Sequence, residues 1–212
     1  MTALQCPVCG GVALRFAAEK FSVAYSSCDN CAALFSDDIA SDVLITHNDS
    51  PEARAERPRQ QVRLRRVTDQ LGRRPEKMLD FGCGRGDYIA FLSEVGIDAA
   101  GIDQDTQLKL ADISTQSVDA VNMVEVIEHL GDPLGILRSL RETLKPGGLI
   151  YIESSFVDFI GDPAQSGYVD PRIGHCCIHS KKSMAYLAGK LEMKLVWLNN
   201  NVAVMHKMQN QM

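Results

Sequence analysis

Short apolar runs alternate with longer segments of helical periodicity from residue 77 onward. This alternation is typical of parallel strands that are connected by helices. The pattern predicts strands at 78–81, 99–103, 118–124 and 149–154, and helices at 87–95, 134–144 and 181–191. Two further apolar runs, 193–198 and 202–207, flank three asparagines, which is a hairpin turn signal. The prediction is therefore an α/β fold, with a mostly parallel sheet that ends in an antiparallel hairpin.

A basic segment precedes this alternating region. Eight arginines lie between Arg54 and Arg74 against two acidic residues, a local charge of +6 in a chain of net charge −5. Leu64, Val67 and Leu71 share one face at helical spacing, which predicts an amphipathic helix with its arginines in solvent. The alternative is an anion site for a phosphorylated or nucleotide-linked ligand, or for RNA, although the acidic remainder argues against a broad nucleic-acid surface.

The first predicted strand runs into a glycine loop at Gly82, Gly84 and Gly86. Glycine permits positive φ and a close approach of ligand to backbone, and a strand, a glycine turn and a helix form a nucleotide-binding unit. Asp80 and Asp87 flank the loop and would repel a pyrophosphate. S-adenosylmethionine carries a sulfonium and an ammonium group and no phosphate, so the acidic loop favours this cofactor.

A carboxylate also ends the second predicted strand. Asp103 lies 21 residues after Gly82, and a carboxylate at the tip of the neighbouring strand can accept both ribose hydroxyl hydrogens. Further along, Leu144-Lys145-Pro146-Gly147-Gly148 is typical of a helix end before a strand. The three motifs together are far more specific than a glycine loop alone.

With these motifs the chain resembles the class I S-adenosylmethionine-dependent methyltransferases, mainly over residues 76–155. Residues 81–86 are similar to the cofactor loop of that family, and residues 124–130 to the segment after its fourth strand. The resemblance implies a Rossmann-like fold and S-adenosylmethionine as cofactor. It implies cofactor-binding residues at Asp80, Gly82, Cys83, Gly84, Gly86, Asp103, Asp112 and Glu125.

The chain departs from that family between Asp103 and Val118, where the family has a whole helix and a third strand. Only 14 residues intervene here, and a parallel crossover alone needs about a dozen. We therefore predict that the third strand and its helix are missing or vestigial. Asp112, inside this segment, is expected to match the acid that contacts adenine in the family.

Four cysteines near the N-terminus have the spacing of a metal site. Cys6-Pro7-Val8-Cys9 and Cys28-Asp29-Asn30-Cys31 each place two thiolates on a tight turn. Four thiolates complete the tetrahedral coordination of zinc, so the pattern predicts a structural zinc ribbon, which resembles those before some bacterial methyltransferase domains. A redox or incidental set of cysteines, and iron in place of zinc, are the alternatives.

Composition restricts the location and the domain organisation. Hydrophobic residues make up 45% of the 212 residues, and no apolar run approaches the length that spans a bilayer. The N-terminus lacks the basic start and apolar core of a secretory signal, so we expect a cytoplasmic protein without structural disulfides. The expected domains are a zinc ribbon at 1–36, a connection with the basic helix at 37–76, and the methyltransferase domain at 77–212.

Methyl transfer requires an oriented acceptor and a group that takes its proton. His129, after the fourth strand, and His175, in the loop after the fifth, are the candidate bases, and each has a purely structural alternative. Glu125, Glu128 and His129 resemble a motif that binds a divalent cation in some quinone and small-RNA methyltransferases, which would imply Mg²⁺ there. Alternatively, Glu125 lines the cofactor pocket and Glu128 is solvated.

The leading hypothesis is methyl transfer to oxygen or nitrogen of a small polar metabolite, with carbon methylation of a nucleotide-linked sugar as a close variant. One alternative is an RNA or protein methyltransferase that docks through the ribbon and the arginine helix. Another is a non-catalytic relative, which the short segment after Asp103 suggests. The sequence favours a small-molecule acceptor over nucleic-acid or membrane partners, and it does not indicate an oligomeric state.

Overall fold

The protein is described by a computed structural model over residues 4–12, 14–39 and 57–209. Residues 40–56, which belong to the connection expected at 37–76 and include Arg54, lie outside these residues. None of the helices within them has both the length and the apolar character that a bilayer crossing requires.

The described residues form two sheets, and the larger contains six strands in the order β5-β4-β6-β7-β10-β9. Four of them are mutually parallel, and the last two form an antiparallel hairpin beside β7. Their bounds are β4 Lys77–Phe81, β5 Asp98–Ile102, β6 Val118–Val124, β7 Leu144–Glu153, β9 Met193–Trp197 and β10 Val202–Lys207. The predicted α/β fold with a C-terminal hairpin is confirmed.

Helices cover both faces of this sheet. Helices α1 (Arg57–Leu71) and α2 (Asp87–Glu94) pack on the face that presents Met78 and Tyr151. Helices α3 (Pro133–Thr143) and α4 (Lys181–Lys190) pack on the opposite face. Alternate strand residues therefore point into two apolar layers, which is why the strands read as nearly continuous apolar runs.

The short segment between β5 and β6 contains no strand. Its one regular element is a 3₁₀ turn at Leu110–Asp112, so β5 is the edge strand of the larger sheet. The missing third strand is thus confirmed over a segment that the structure describes completely.

The smaller sheet is antiparallel, with the strand order β1-β2-β3-β8. Strands β1 (Leu14–Lys20), β2 (Val23–Cys28) and β3 (Leu34–Phe35) come from the N-terminal region, and β8 (Cys177–Ile178) comes from far along the chain. Buried residues of the N-terminal region, among them Phe35, belong to the same apolar cluster as Leu79 of β4. The two sheets therefore share one core.

Two expectations about local structure need correction. Arg63 of α1 is only 7% exposed and its Nε lies 3.4 Å from Glu153 Oε2, while Arg66 donates to the Tyr151 hydroxyl at 3.1 Å. These two arginines face the sheet because polar side chains at the end of β7 can pair with them.

In addition, β7 begins at Leu144 rather than at residue 149, because the strand passes through the Pro-Gly-Gly segment with a register shift opposite β6.

Candidate functional site

The glycine loop is fixed by backbone contacts with the end of β5. Gly82 has a φ of +82°, and a Cβ there would lie 2.1 Å from Val126 Cγ2, so only glycine fits without a shift. The backbone amides of Gly82 and Cys83 donate to the carbonyl of Ile102 at 2.8 and 3.1 Å. The loop therefore lies between the ends of β4 and β5 and touches the segment that follows β6.

Asp103 faces this loop directly. Its Oδ2 accepts from the Gly84 amide at 2.8 Å and its Oδ1 from the Gln104 amide at 2.7 Å. Both carboxylate oxygens are thereby oriented, and lone pairs remain because a carboxylate offers about four acceptor positions. Burial, and then the charge of Asp80, raise the pKa of the half-buried Cys83 thiol to about 11, so it packs in the loop as a neutral group.

Below the loop lies a buried polar pair that bridges β4 and β6. Asn122 donates through Nδ2 to Asp80 Oδ1 at 2.6 Å, and both side chains are nearly inaccessible to solvent. The buried Tyr88 hydroxyl and Asn122 Oδ1 have no hydrogen-bond partner among the described residues. Buried polar atoms normally have partners, so these atoms fit a polar ligand such as the amino-acid end of S-adenosylmethionine.

The remaining two cofactor candidates lie at the edges of this arrangement. Asp112 is exposed and its Oδ2 accepts from the Lys109 amide at 2.9 Å, closing a local turn. Glu125, directly after β6, has a φ of +52°, a conformation that is unfavourable for residues other than glycine. Such strain is common at functional sites, but the roles of Asp112 and Glu125 in cofactor binding stay predictions.

A buried carboxylate with hydroxyl partners follows β6. Glu128 is completely buried, so the interpretation that it is solvated is wrong. Its Oε2 accepts from Ser154 Oγ at 3.0 Å, and its Oε1 accepts a hydrogen bond from the Tyr168 hydroxyl. The same tyrosine oxygen lies 2.9 Å from Ser154 Oγ and 3.1 Å from Glu125 Oε2. Tyr168 thus bridges both glutamates of the motif.

The two candidate histidines meet beside this carboxylate. The rings of His129 and His175 pack edge to face with centroids 4.8 Å apart. Their Nδ1 atoms lie 3.0 Å from the Gly174 carbonyl and 2.6 Å from the Tyr168 carbonyl, respectively. A carbonyl only accepts, so each Nδ1 carries the proton and each Nε2 has the lone pair of a neutral ring. The Nε2 of His175 lies 4.0 Å from Glu128 Oε1.

The protonation states of this cluster follow from its burial. Burial, and then the charge of Glu125, raise the pKa of Glu128 to about 8. Burial, and then the neighbouring His175, lower the pKa of His129 to about 4, and burial also lowers the pKa of His175. Burial therefore favours the protonated carboxyl of Glu128 and the neutral imidazoles of His129 and His175.

Three ligand atoms of this cluster could also hold a cation. Atoms of Glu128, His129 and His175 lie within 4.8 Å of one another. Glu125 is not in that group and reaches it through Tyr168. The structure therefore does not bring the predicted set of Glu125, Glu128 and His129 together. His175 takes the place of Glu125 in the group.

The four N-terminal cysteines converge as the spacing predicts. Cys6 Sγ lies 3.5 Å from Cys31 Sγ, Cys9 Sγ lies 3.5 Å from Cys28 Sγ, and all four sulfurs lie within 4.8 Å of one another. A disulfide would require about 2 Å, whereas tetrahedral zinc with Zn–S bonds of about 2.3 Å separates its sulfurs by about 3.8 Å. The arrangement fits a closed zinc site.

Sequence reasoning missed Tyr168 and Ser154. Both belong to the β7–β8 loop, residues 154–176, which also carries His175. Ser154 directly follows a buried strand, which is a signal for a site residue, but Tyr168 lies in a segment rich in glycine and proline without periodicity. Only the tertiary structure brings its hydroxyl to Glu128.

Comparison with known proteins identifies the family. Residues 54–196 match the family model described as a methyltransferase domain, which is more than half of the chain, so the chain belongs to this family. The prediction of a class I methyltransferase is confirmed. The match excludes the cysteine-bearing residues 4–39.

Two curated relatives show how far the likeness extends. The ubiquinone biosynthesis O-methyltransferase of Aliivibrio fischeri is 28% identical in an alignment of 102 residues that covers 37% of this chain and 44% of that protein. The enzyme of the same name from Xanthomonas campestris pv. campestris is 31% identical in an alignment of 116 residues that covers 44% of this chain and 48% of that protein. This chain thus covers less than half the length of these relatives.

Solved structures share the architecture at low identity. The 1,6-didemethyltoxoflavin-N1-methyltransferase of Burkholderia thailandensis aligns with a TM-score of 0.55 and 15% identity, over 74% of this chain and 82% of that one. Human N-acetylserotonin methyltransferase aligns with a TM-score of 0.56 and 13% identity, over 73% and 53% of the two chains. At these identities the likeness shows the fold alone.

Proposed function

We propose that the protein transfers the methyl group of S-adenosylmethionine to an oxygen or nitrogen of a small polar metabolite, sugar-like or a biosynthetic intermediate. The observation that carries this proposal is that Val126, between Glu125 and Glu128, contacts the glycine loop at Gly82. A loop suited to a cationic nucleoside therefore adjoins a cluster suited to an acceptor that must lose a proton.

The cofactor would be held at the ends of β4, β5 and β6. Asp103 would accept the ribose hydroxyls with the lone pairs that Gly84 and Gln104 leave available. Asp80 and Asn122 would face the methionine part. Bound there, S-adenosylmethionine supplies a methyl group activated by a sulfonium. The full proposed set is Asp80, Gly82, Cys83, Gly84, Gly86, Asp103, Asp112 and Glu125.

The acceptor's proton would pass to an imidazole. His129 and His175 both present a neutral Nε2 at pH 7, because burial lowers their pKa values and their Nδ1 atoms are held by carbonyls. Either ring can therefore act as the general base for a hydroxyl or amine. Tyr168 and the protonated Glu128 would orient the acceptor by hydrogen bonds.

The names of the relatives support the atoms that we propose. The Aliivibrio fischeri relative is an O-methyltransferase, and the Burkholderia thailandensis protein is an N1-methyltransferase bound to its small-molecule substrate and S-adenosylhomocysteine. Both are proteins that act on small molecules. We extend only this general class of acceptor to the present chain.

Two metal proposals accompany this function. Cys6, Cys9, Cys28 and Cys31 would bind one structural zinc, with no coordination position left for chemistry. A divalent cation at Glu128, His129 and His175 is a second way to activate an acceptor hydroxyl. The convergence of these three residues supports this proposal. Added Mg²⁺ or Mn²⁺ should then raise turnover, whereas unchanged turnover would leave the imidazole as base.

Calorimetry with S-adenosylmethionine and S-adenosylhomocysteine tests the proposal first. We expect both to bind, and Asp103→Ala to weaken both at least tenfold because two ribose hydroxyls lose a charged acceptor. Asp105→Ala, two residues away and exposed, is the matched control and should bind as the wild type does. The absence of binding heat in the wild type would refute the proposal and favour a non-catalytic relative.

Turnover is then measured as transfer of labelled methyl groups from the cofactor to a panel of sugars, catechols and polar amines. His175→Gln and His129→Gln should each bind the cofactor within about twofold of the wild-type affinity. The variant that lacks the general base should lose about 10²-fold or more in kcat. Activity on RNA or protein substrates alone would contradict the small-molecule assignment.

A further inference from the structure

The strand that directly follows His175 does not belong to the larger sheet. Strand β8 pairs with β3 of the N-terminal region, with Leu34 opposite Ile178 and Phe35 opposite Cys177. One residue further, the Ser36 amide donates to the Cys176 carbonyl at 3.0 Å. The end of the β7–β8 loop is thus a part of the N-terminal sheet.

A buried tyrosine of that sheet holds His175 itself. Tyr25, in the middle of β2, is completely buried and its hydroxyl donates to the His175 carbonyl at 2.8 Å. Its ring packs with Leu34, Val169 and Ile178 in a separate apolar cluster between the sheet and the loop. This is the one described side-chain hydrogen bond to the His175 carbonyl.

The β1–β2 hairpin touches the same loop further from the core. Lys20 donates through Nζ to the carbonyls of Ala164 and Ser166 at 3.0 and 3.3 Å. The guanidinium carbon of Arg172 lies 3.5 Å from the centre of the Phe21 ring. The hairpin therefore contacts the loop on both sides of Tyr168.

The loop needs such support because it is long and has little regular structure of its own. Between β7 and β8 the described chain has only two 3₁₀ turns, Val157–Phe159 and Pro171–Ile173. Fixing each residue of such a segment costs backbone entropy, which contacts from elsewhere must offset. Within the loop, the Nδ1–H of His175 bonds to Tyr168, so a displaced loop would carry both side chains with it.

We propose that the N-terminal sheet is the scaffold of the acceptor side of the site, and that Tyr25 is the positioning residue for His175. This inference rests on the proposed function, because it assigns the ribbon to the geometry of the acceptor rather than to docking of a macromolecule. Among the described residues, none of these contacts joins the cofactor loop to the N-terminal sheet, so cofactor binding should not depend on them.

Tyr25→Phe tests the proposal, since it removes only the hydroxyl and keeps the buried ring. Tyr186→Phe on α4 is the matched control. In protein labelled with ¹³C at histidine Cε1, the His175 signal is assigned by its loss in His175→Gln. We expect this signal to shift in Tyr25→Phe but not in Tyr186→Phe, while the His206 signal stays in place.

Hydrogen exchange gives an independent measurement. Amides of residues 164–178 should exchange about fivefold faster in Tyr25→Phe, the effect of losing about one hydrogen bond, and amides of β4 and α2 should be unchanged. Phe21→Ala, at a 56% exposed position, removes the ring that contacts Arg172 and should loosen residues 164–174 as well. A uniform increase in exchange, or an unmoved His175 signal, would overturn the proposal.

The affinity for S-adenosylhomocysteine separates this result from the proposed function. Tyr25→Phe should bind it within about twofold of the wild type, and a larger loss would mean that the tyrosine supports the whole domain. If the wild type itself does not bind, the proposed function fails, while the His175 signal still reports whether Tyr25 positions this ring.

Discussion

Glu128 is the residue whose surroundings change its chemistry most. In the unfolded chain this carboxyl ionises near the ordinary pKa of a glutamate side chain, about 4.3. In the folded protein, burial raises the pKa of Glu128 to about 8. Between these values the folded protein holds a proton that the unfolded chain lacks. The free energy of unfolding contributed by Glu128 therefore falls as the pH rises through this window.

Glu128→Gln should remove this dependence. The free energy of unfolding of the wild type minus that of the variant should fall from pH 5 to pH 8, by up to roughly 1.4 kcal/mol per pH unit, because glutamine carries no such proton. Urea unfolding at pH 5, 6, 7 and 8 measures the difference. Ser93→Ala, exposed and not ionisable, should differ from the wild type by a constant amount. A constant difference for Glu128→Gln as well would contradict the buried, protonated carboxyl.

The sequence alone predicts residues that act through backbone geometry better than those that act through long-range contacts. Gly82 is predictable because its chain neighbours define the turn that needs it. Asp103 is predictable because it ends the strand beside that turn. Tyr168 and Arg63 are not, because the partners of each, Glu128 and Glu153 among them, come from distant segments and no local pattern marks such pairs.

At the scale of elements, Asp119 joins three segments around the start of β6. It is fully buried and accepts from Arg73 at 2.7 Å, from Lys145 at 2.9 Å, and from the amides of Glu76 and Lys77. Although burial opposes ionisation, these donors together hold the pKa of Asp119 well below its usual range. The Asp119 carboxylate thus connects the segment that follows α1 and the first residue of β4 to Lys145 of β7.

Asp119→Asn should cost about 2 kcal/mol of unfolding free energy at pH 7, since an amide nitrogen cannot accept from these donors. This loss of unfolding free energy is smaller than that of a fully buried ion pair, because the Arg73 side chain is half exposed. Chemical denaturation measures the loss, and it should shrink as the pH falls far enough to protonate the folded wild type. Asp105→Asn, at an exposed site, should change stability by less than about 0.5 kcal/mol. Equal stability of the two variants would mean that Asp119 is not the connecting residue.

Element boundaries follow the same division between local and distant information. The helices and the C-terminal hairpin appear where periodicity and the three asparagines predict them. Strand β8 has only two residues, too short for any periodic signal, and it exists because β3 offers it an edge. The early start of β7 likewise depends on pairing of Leu144 with Val118, which overrides the Pro-Gly-Gly signal.

At the scale of the whole molecule, the cysteine site and the larger sheet are parts of one core. Cys6, Cys28 and Cys31 are buried in the same apolar cluster as Leu79 of the central strand β4. The N-terminal sheet is also completed by β8, which lies between the catalytic candidates and α4 in the chain. A metal that binds the four thiolates would thus stabilise the full fold, although the spacing of the cysteines by itself suggested an independent module.

This arrangement predicts that the metal leaves only when the sheet unfolds. Trp197, the single tryptophan, lies on β9 against Phe156, with ring centroids 4.8 Å apart, and its fluorescence reports the larger sheet. In protein loaded with one equivalent of zinc, the midpoint of zinc release to a chromogenic chelator should agree with the fluorescence midpoint within about 2 °C, as for a single cooperative transition. Cys28→Ser, which removes one thiolate, should lower the fluorescence midpoint, because the shared core loses its metal. Zinc release well below the fluorescence transition would show instead that the N-terminal sheet unfolds alone, and β8 would then have to detach from β3 while the larger sheet persists.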